Sequence, residues 1–507
     1  MSAVRTSFRF RILALLACAA APAAGRAGPA AEDIAARVRQ YRADTGARVG
    51  VHVVRLADGK VLCDIQARQP LIPASNQKIL TAAVALKRLG RDFGFRTRMG
   101  LAGKDLTVFG DGDPTTGDPL LAAGRKQSIY DVFDRWCGDL KRAGATKVPG
   151  DLVIRTGIFQ PPHVHPDWPK KQLGRWYAAP AAGVNFHDNC VGITFKVSGR
   201  EVAPVLRPVS RFLVVNNQVK VGKKHLWSCR FDGVGYKLTL TGTVKRTSPD
   251  LLPVAVPNPA SLFACVLADR LVRGGIDIAG RIVITADPAD ASGPGKDFRL
   301  IATATTPLAD ALARCGKQSL NMMAECLLLR SAVGPARPAT WESAARVARQ
   351  VLQETYGLDG SQFVVADGSG FSKRNVVSPA AVTHLLRALA GEPLFVGSLP
   401  VAGEDGSLKR RLRAAPTRGR VVAKTGSLAG ASALSGYVLD GASRPVVAFS
   451  LLTNGRTAGR RGTAKGMEDG ICRILVRHVD AGAASGPAGP APVTTRPARR
   501  QSPRPGP

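Results

Sequence analysis

Pro73 to Gly90 reads PASNQKILTAAVALKRLG, and the fold turns on it. Ile79, Leu80, Ala83, Val84, Leu86 and Leu89 recur at helical spacing, and Gly90 supplies a stop. The pattern predicts a buried helix from Ser75 to Leu89 with Ser75 at its opening. Ser75 and Lys78 stand three residues apart, so the lysine reaches the hydroxyl from the adjacent turn. A serine hydroxyl is a weak nucleophile, and a desolvated lysine near other cations is neutral enough to take its proton. Unpaired N–H groups and the positive dipole end at the helix opening lie where an oxyanion would form. The same two residues also make an ordinary helix start, because Ser is a favoured cap and Lys a good helix former.

Two further elements occur once each, far along the chain: Ser319-Leu320-Asn321 and Lys424-Thr425-Gly426. Alone, Ser319 and Asn321 read as caps of a following helix. Lys424-Thr425-Gly426 alone reads as a strand end in which Gly426 allows close backbone approach. In this order, Ser-x-x-Lys, Ser-x-Asn and Lys-Thr-Gly form the set of β-lactamases and penicillin-binding proteins. The chain resembles the class C low-molecular-weight penicillin-binding proteins, the D-Ala-D-Ala carboxypeptidase/endopeptidase family of S13 peptidases. Asp111-Gly112-Asp113-Pro114, Asn321-Met322-Met323-Ala324-Glu325, Asp367-Gly368-Ser369-Gly370 and Ala433-Leu434-Ser435-Gly436-Tyr437 are also similar to that family. Arg155-Thr156-Gly157-Ile158-Phe159 departs from it, lacking the acidic residue often found there.

The resemblance implies Ser75 as nucleophile and Lys78 as its general base. It implies that Ser319 and Asn321 complete the proton relay and hold the substrate amide. Lys424, Thr425, Gly426 and Ser427 become the substrate-binding strand, with Lys424 and Thr425 on the terminal carboxylate and the N–H groups of Ser75 and Ser427 as oxyanion hole. No cofactor and no metal are implied. His163-Val164-His165 with Asp167 carries ligand-like chemistry but lacks a second well-spaced donor set. The implied partners are peptidoglycan stem peptides and β-lactam antibiotics. A serine β-lactamase shares the acylation apparatus, but Ser-Leu-Asn replaces Ser-Asp-Asn and no Glu-bearing deacylation loop is evident. A catalytically silent wall-binding protein of the same fold is the remaining alternative.

The expected fold is an α/β (α+β) penicillin-binding/β-lactamase-like transpeptidase domain with inserted mainly β domains. The catalytic part is expected at residues 28–97 and 298–480, one insertion at 98–155 and 245–297, and a second at 156–244. Asp58-Gly59 between the runs Val49–Arg55 and Val61–Ile65 signals a hairpin. Short strand-like runs follow at Asp151–Ile154, Val191–Val197, Phe212–Val219, Tyr236–Thr243 and Ile282–Thr285, and helical spacing returns at Leu308–Val333, Thr340–Tyr356 and Pro379–Ala390. Three strands and a helix, Lys465–Val479, close the pattern.

Arg5, Arg9 and Arg11, the apolar run Ile12–Ala21 and the small residues Ala21-Pro22-Ala23 describe a signal peptide over residues 1–24, hence a secreted protein, periplasmic or extracellular. Leu15-Leu16-Ala17-Cys18 loosely resembles a lipoprotein signal and is the competing reading. Removal of Cys18 leaves eight cysteines, of which Cys190 and Cys229 are the expected disulfide and most others expected buried thiols. The formal charge of +34 is spread over the chain without nucleic-acid-binding motifs, which excludes nucleic acid as the expected partner and favours anionic wall polymer or a membrane surface. Residues 481–507, rich in Pro, Gly and Ala with four arginines and no acid, read as a disordered tail.

Overall fold

The computed structural model describes residues 29–484 apart from 233–236 and 461. The expected signal peptide lies outside the described residues, as does the expected tail except for Ala481–Ala484, which continue the last helix, Ala464–Ala484. That helix therefore outruns its expected end.

A five-stranded antiparallel sheet organises one part of the fold, in the order Val421–Leu428, Ala431–Leu439, Pro445–Asn454, Arg48–Arg55, Val61–Ile65. The first and last segments of the chain thus meet edge to edge, Arg48 opposite Asn454. Every residue of Ala431–Leu439 is buried, which requires cover on both faces. Alternation assigns the covers: Val421, Ala423, Leu434, Val438 and Phe449 pack with Ile34, Val38, Ile471 and Leu475 of the terminal helices. Val422, Ala433, Tyr437 and Ala448 point the other way, toward the helices Gln77–Leu89, Asn321–Ala332 and Pro379–Leu389. Lys424, two residues beyond Val422, therefore faces the helical side.

The helix Gln77–Leu89 is buried continuously from Gln77 to Leu86, and its alanines let neighbouring helices approach closely. The expected single helix Leu308–Val333 is two helices, Leu308–Lys317 and Asn321–Ala332. Ser319 between them takes φ 60°, a left-handed conformation that no helix can contain. The apolar spacing survives across the break, which is why periodicity alone did not show it.

Between Leu89 and Leu308 the chain builds a second sheet, order Ile282–Thr285, Leu152–Arg155, Asp105–Phe109, Gly94–Ala102, Phe298–Pro307. The strand-like texture did not announce the helices Asp131–Arg142 and Pro259–Arg273, whose Phe133, Trp136, Phe263 and Leu267 fill the core on this sheet. Two three-stranded sheets follow, one of Cys190–Ser198, Glu201–Arg207 and Leu252–Ala255, the other of Val214–Val221, Leu226–Phe231 and Lys237–Val244. Cys190 and Cys229 open or lie within strands of different sheets and are both free thiols, so the expected disulfide is absent. Burial raises the pKa of each thiol, that of Cys229 to about 12.

Candidate active site

Ser75 lies in a single 3-10 turn, Ala74–Asn76, that leads directly into the helix Gln77–Leu89. Two glycines allow the surroundings to close on this turn. A Cβ on Gly426 would lie 2.7 Å from the Pro73 carbonyl oxygen, and one on Gly370, where φ is 82°, would lie 1.8 Å from the Ala74 oxygen. The strand Val421–Leu428 and the loop 367–370 therefore grip the turn from two directions. Asn76 ties the turn to the sheet: its amide donates to the Lys424 carbonyl at 2.8 Å and accepts from Ser435 Oγ at 2.7 Å.

Lys78, 2% exposed, donates to Ser75 Oγ at 3.1 Å, to Asn321 Oδ1 at 2.7 Å and to the Ser369 carbonyl at 3.0 Å. Burial lowers its pKa below the usual lysine range, against the opposing pull of Cys315, Glu325 and Asp367. Lys424, 1% exposed, donates to Ser319 Oγ at 2.7 Å and to the Thr425 carbonyl at 3.0 Å. Burial, then repulsion from Lys78, depresses its pKa strongly. Two lysines thus approach the serine region from a helix and a strand, each holding one hydroxyl. The cap readings fail, because no side chain caps Gln77–Leu89 or Asn321–Ala332.

Ser75, Ser319, Asn321, Thr425 and Ser427 line one cleft of about 640 Å³. Lys424 does not line it. Its ammonium is held by Ser319 Oγ, while the next residues, half-buried Thr425 and exposed Ser427, face the cleft. Thr425 Oγ1 is held by Ser407 Oγ at 2.7 Å.

Several contributors had no role in the sequence reading. Asn321 Nδ2 donates to the Tyr177 carbonyl at 2.7 Å, which turns its Oδ1 toward Lys78. Trp168 Nε1 donates to Asp367 Oδ2 at 2.9 Å. Both partners come from a segment long before Asn321 in sequence, with Asp167, Trp176 and Tyr177 forming a wall of the cleft, and no local signal announces that contact. His163 and His165 belong to this segment, where the His165 ring packs edge-on against Trp341.

Glu325 could have been found. It follows Asn321 by four residues on one helix and so shares its face. Fully buried, it accepts the N–H groups of Gly368 at 2.7 Å and Ser369 at 2.9 Å, anchoring the loop whose Ser369 carbonyl accepts from Lys78. Burial and the charge of Asp367 push its pKa to about 8.

Residues 30–475 match the family model described as the D-Ala-D-Ala carboxypeptidase 3 (S13) family. The D-alanyl-D-alanine carboxypeptidase DacB of Haemophilus influenzae is 27% identical over 430 residues, 82% of this chain and 87% of that protein. A D-alanyl-D-alanine carboxypeptidase of an Actinomadura species is 30% identical over 445 residues, 81% of this chain and 78% of that protein. The crystal structure of penicillin binding protein 4 (dacB) from Haemophilus influenzae superposes with a TM-score of 0.71 at 25% identity, covering 87% of this chain and 98% of that one. Its complex with a β-lactam superposes with a TM-score of 0.69 at 25% identity, covering 88% of this chain and 98% of that one. The chain belongs to the D-Ala-D-Ala carboxypeptidase 3 (S13) family and is a serine-type D-Ala-D-Ala carboxypeptidase.

Proposed function

We propose that Ser75 cleaves the terminal D-Ala-D-Ala bond of peptidoglycan stem peptides through an acyl-enzyme, with Lys78 as its base. The observation that carries this reading is the buried Lys78 amine 3.1 Å from Ser75 Oγ, its pKa lowered by desolvation. In its neutral form Lys78 takes the Ser75 proton as Oγ bonds to the carbonyl carbon. The Ser75 and Ser427 N–H groups receive the oxyanion. As the C–N bond breaks, a proton passes to the leaving nitrogen through Ser319, whose hydroxyl is held by Lys424. Asn321 holds the substrate amide, and the Thr425 and Ser427 hydroxyls take the terminal carboxylate, with Gly426 keeping the strand close. Water then releases the shortened peptide and restores Ser75.

A β-lactam enters the same path, but its leaving nitrogen stays tethered. Asp167, the carboxylate of the cleft wall, is engaged by Ser372 Oγ at 3.0 Å and by Arg374, which leaves it poorly suited to drive deacylation. The adduct should therefore persist, unlike that of a β-lactamase. The Haemophilus influenzae complex with a β-lactam supports this partner. No described helix is long and apolar enough to cross a membrane, and the basic chain is suited to work at an anionic wall or membrane surface after export.

The test is D-Ala release from a synthetic stem peptide by wild type and Lys78→Arg, which keeps the charge but holds its proton. Release should fall about 10²–10⁴-fold. Wild-type rates in Lys78→Arg would remove Lys78 from the base role.

A further inference from the structure

The sheet Val214–Val221, Leu226–Phe231, Lys237–Val244 ends in a tip where two loops meet. Gly222 N donates to the Val244 carbonyl at 2.9 Å and Thr243 Oγ1 to the Lys224 carbonyl at 2.8 Å, so residues 221–226 and 243–246 form one surface. The side chains there are exposed: Lys223, Lys224, Lys245 and Arg246 surround Leu226, which is 71% exposed, and Val221, which is 40% exposed. None of these cations has an ion pair among the described residues. Several surface arginines elsewhere do, as Arg135 with Asp131, Arg142 with Asp139 and Arg211 with Asp269. Between residues 214 and 249 the only acid is Asp232, which follows the far end of its strand. The tip therefore differs from the general arginine bias in being lysine-rich, unneutralised and apolar at its centre.

We propose that this tip docks on the surface of an anionic phospholipid bilayer, with Leu226 entering the interfacial layer and the four cations meeting headgroup phosphates. Cations alone would suit any polyanion. The exposed leucine and valine among them favour a surface with an apolar layer beneath its charge. This deepens the anionic-surface reading above, and its test reads lipid capture, so its failure leaves the hydrolase assignment intact.

The purified chain is floated with vesicles of phosphatidylglycerol and phosphatidylcholine, or of phosphatidylcholine alone. Capture should require phosphatidylglycerol. Lys223→Gln/Lys224→Gln should weaken it about tenfold or more, and Leu226→Gln about fivefold. Lys104→Gln/Lys147→Gln, a pair of exposed lysines on another part of the surface, should bind as wild type, and all variants should hydrolyse soluble peptide normally. Equal losses for the two lysine pairs would reduce the effect to net charge. Wild-type capture by Leu226→Gln, or binding to isolated cell wall in place of vesicles, would also overturn the proposal.

Discussion

At the scale of single residues, the site rests on removing charge from water. Lys78 has a lowered pKa, so it is a competent base above that value and a spent one below it. The rate of acylation should accordingly fall as pH drops through the lowered pKa, below the ordinary lysine value. A rate that stays flat with falling pH until the protein unfolds would contradict this role. Glu325 supplies a second test, because it is ionised only above about 8, while its oxygens hold the N–H groups of Gly368 and Ser369. The titratable groups facing this cluster are Lys78, Asp367 and Cys315, with Lys424 beyond Cys315. The stability sign follows from the raised pKa: the folded chain keeps a proton the unfolded chain loses above about 4.5, so the wild type loses stability relative to Glu325→Gln as pH rises toward about 8. Melting temperatures across that range check it, and a constant difference would show that Glu325 does not titrate there.

At the scale of elements, the nucleophile turn is held by close backbone approach more than by side chains. Gly426→Ala places a Cβ 2.7 Å from the Pro73 oxygen, so strand and turn must separate. Overpacking of this kind costs about 1–3 kcal/mol, and the shift falls on Ser75 itself. Acylation by a β-lactam should slow more than melting temperature suggests, and an unaffected rate would remove the strand from the positioning of Ser75. What the sequence made legible divides along the same line. The buried helix carrying Lys78, the hairpin at Asp58-Gly59 and the strand through Lys424 depend on local spacing, and each was readable, although the helix begins at Gln77 and Ser75 lies in the 3-10 turn before it. The break at Ser319 was legible only as a capping pattern, since the apolar spacing runs on across it, and the contact of its hydroxyl with Lys424 joins residues far apart in the chain. The same holds for Tyr177 and Trp168, whose partners Asn321 and Asp367 lie far along the chain. Lys424 was readable as part of the site, but its contact with Ser319 required the sheet to be assembled.

At the scale of the whole molecule, part of the basic charge near the carboxyl-terminal strands is held in ion pairs. Of the cations between Gly406 and Gly466, Arg411 is neutralised by Glu468 and Asp469, Arg420 pairs with Asp480, and Arg444 with Asp440. Lys373, exposed at the rim of the cleft, remains without an ion pair among the described residues. Capture of an anionic stem peptide should therefore weaken with salt, and kcat/KM measured from low to physiological ionic strength should fall, chiefly through KM. A salt-independent kcat/KM would show that steering plays no part. The central claim is that Ser75 is the acylated residue, and peptide mapping by mass spectrometry after exposure to benzylpenicillin tests it most directly. The account predicts one long-lived penicilloyl group on the peptide containing Ser75, absent in Ser75→Ala and formed far more slowly in Lys78→Ala. Labelling that persists in Ser75→Ala, or that maps to another residue, would contradict it.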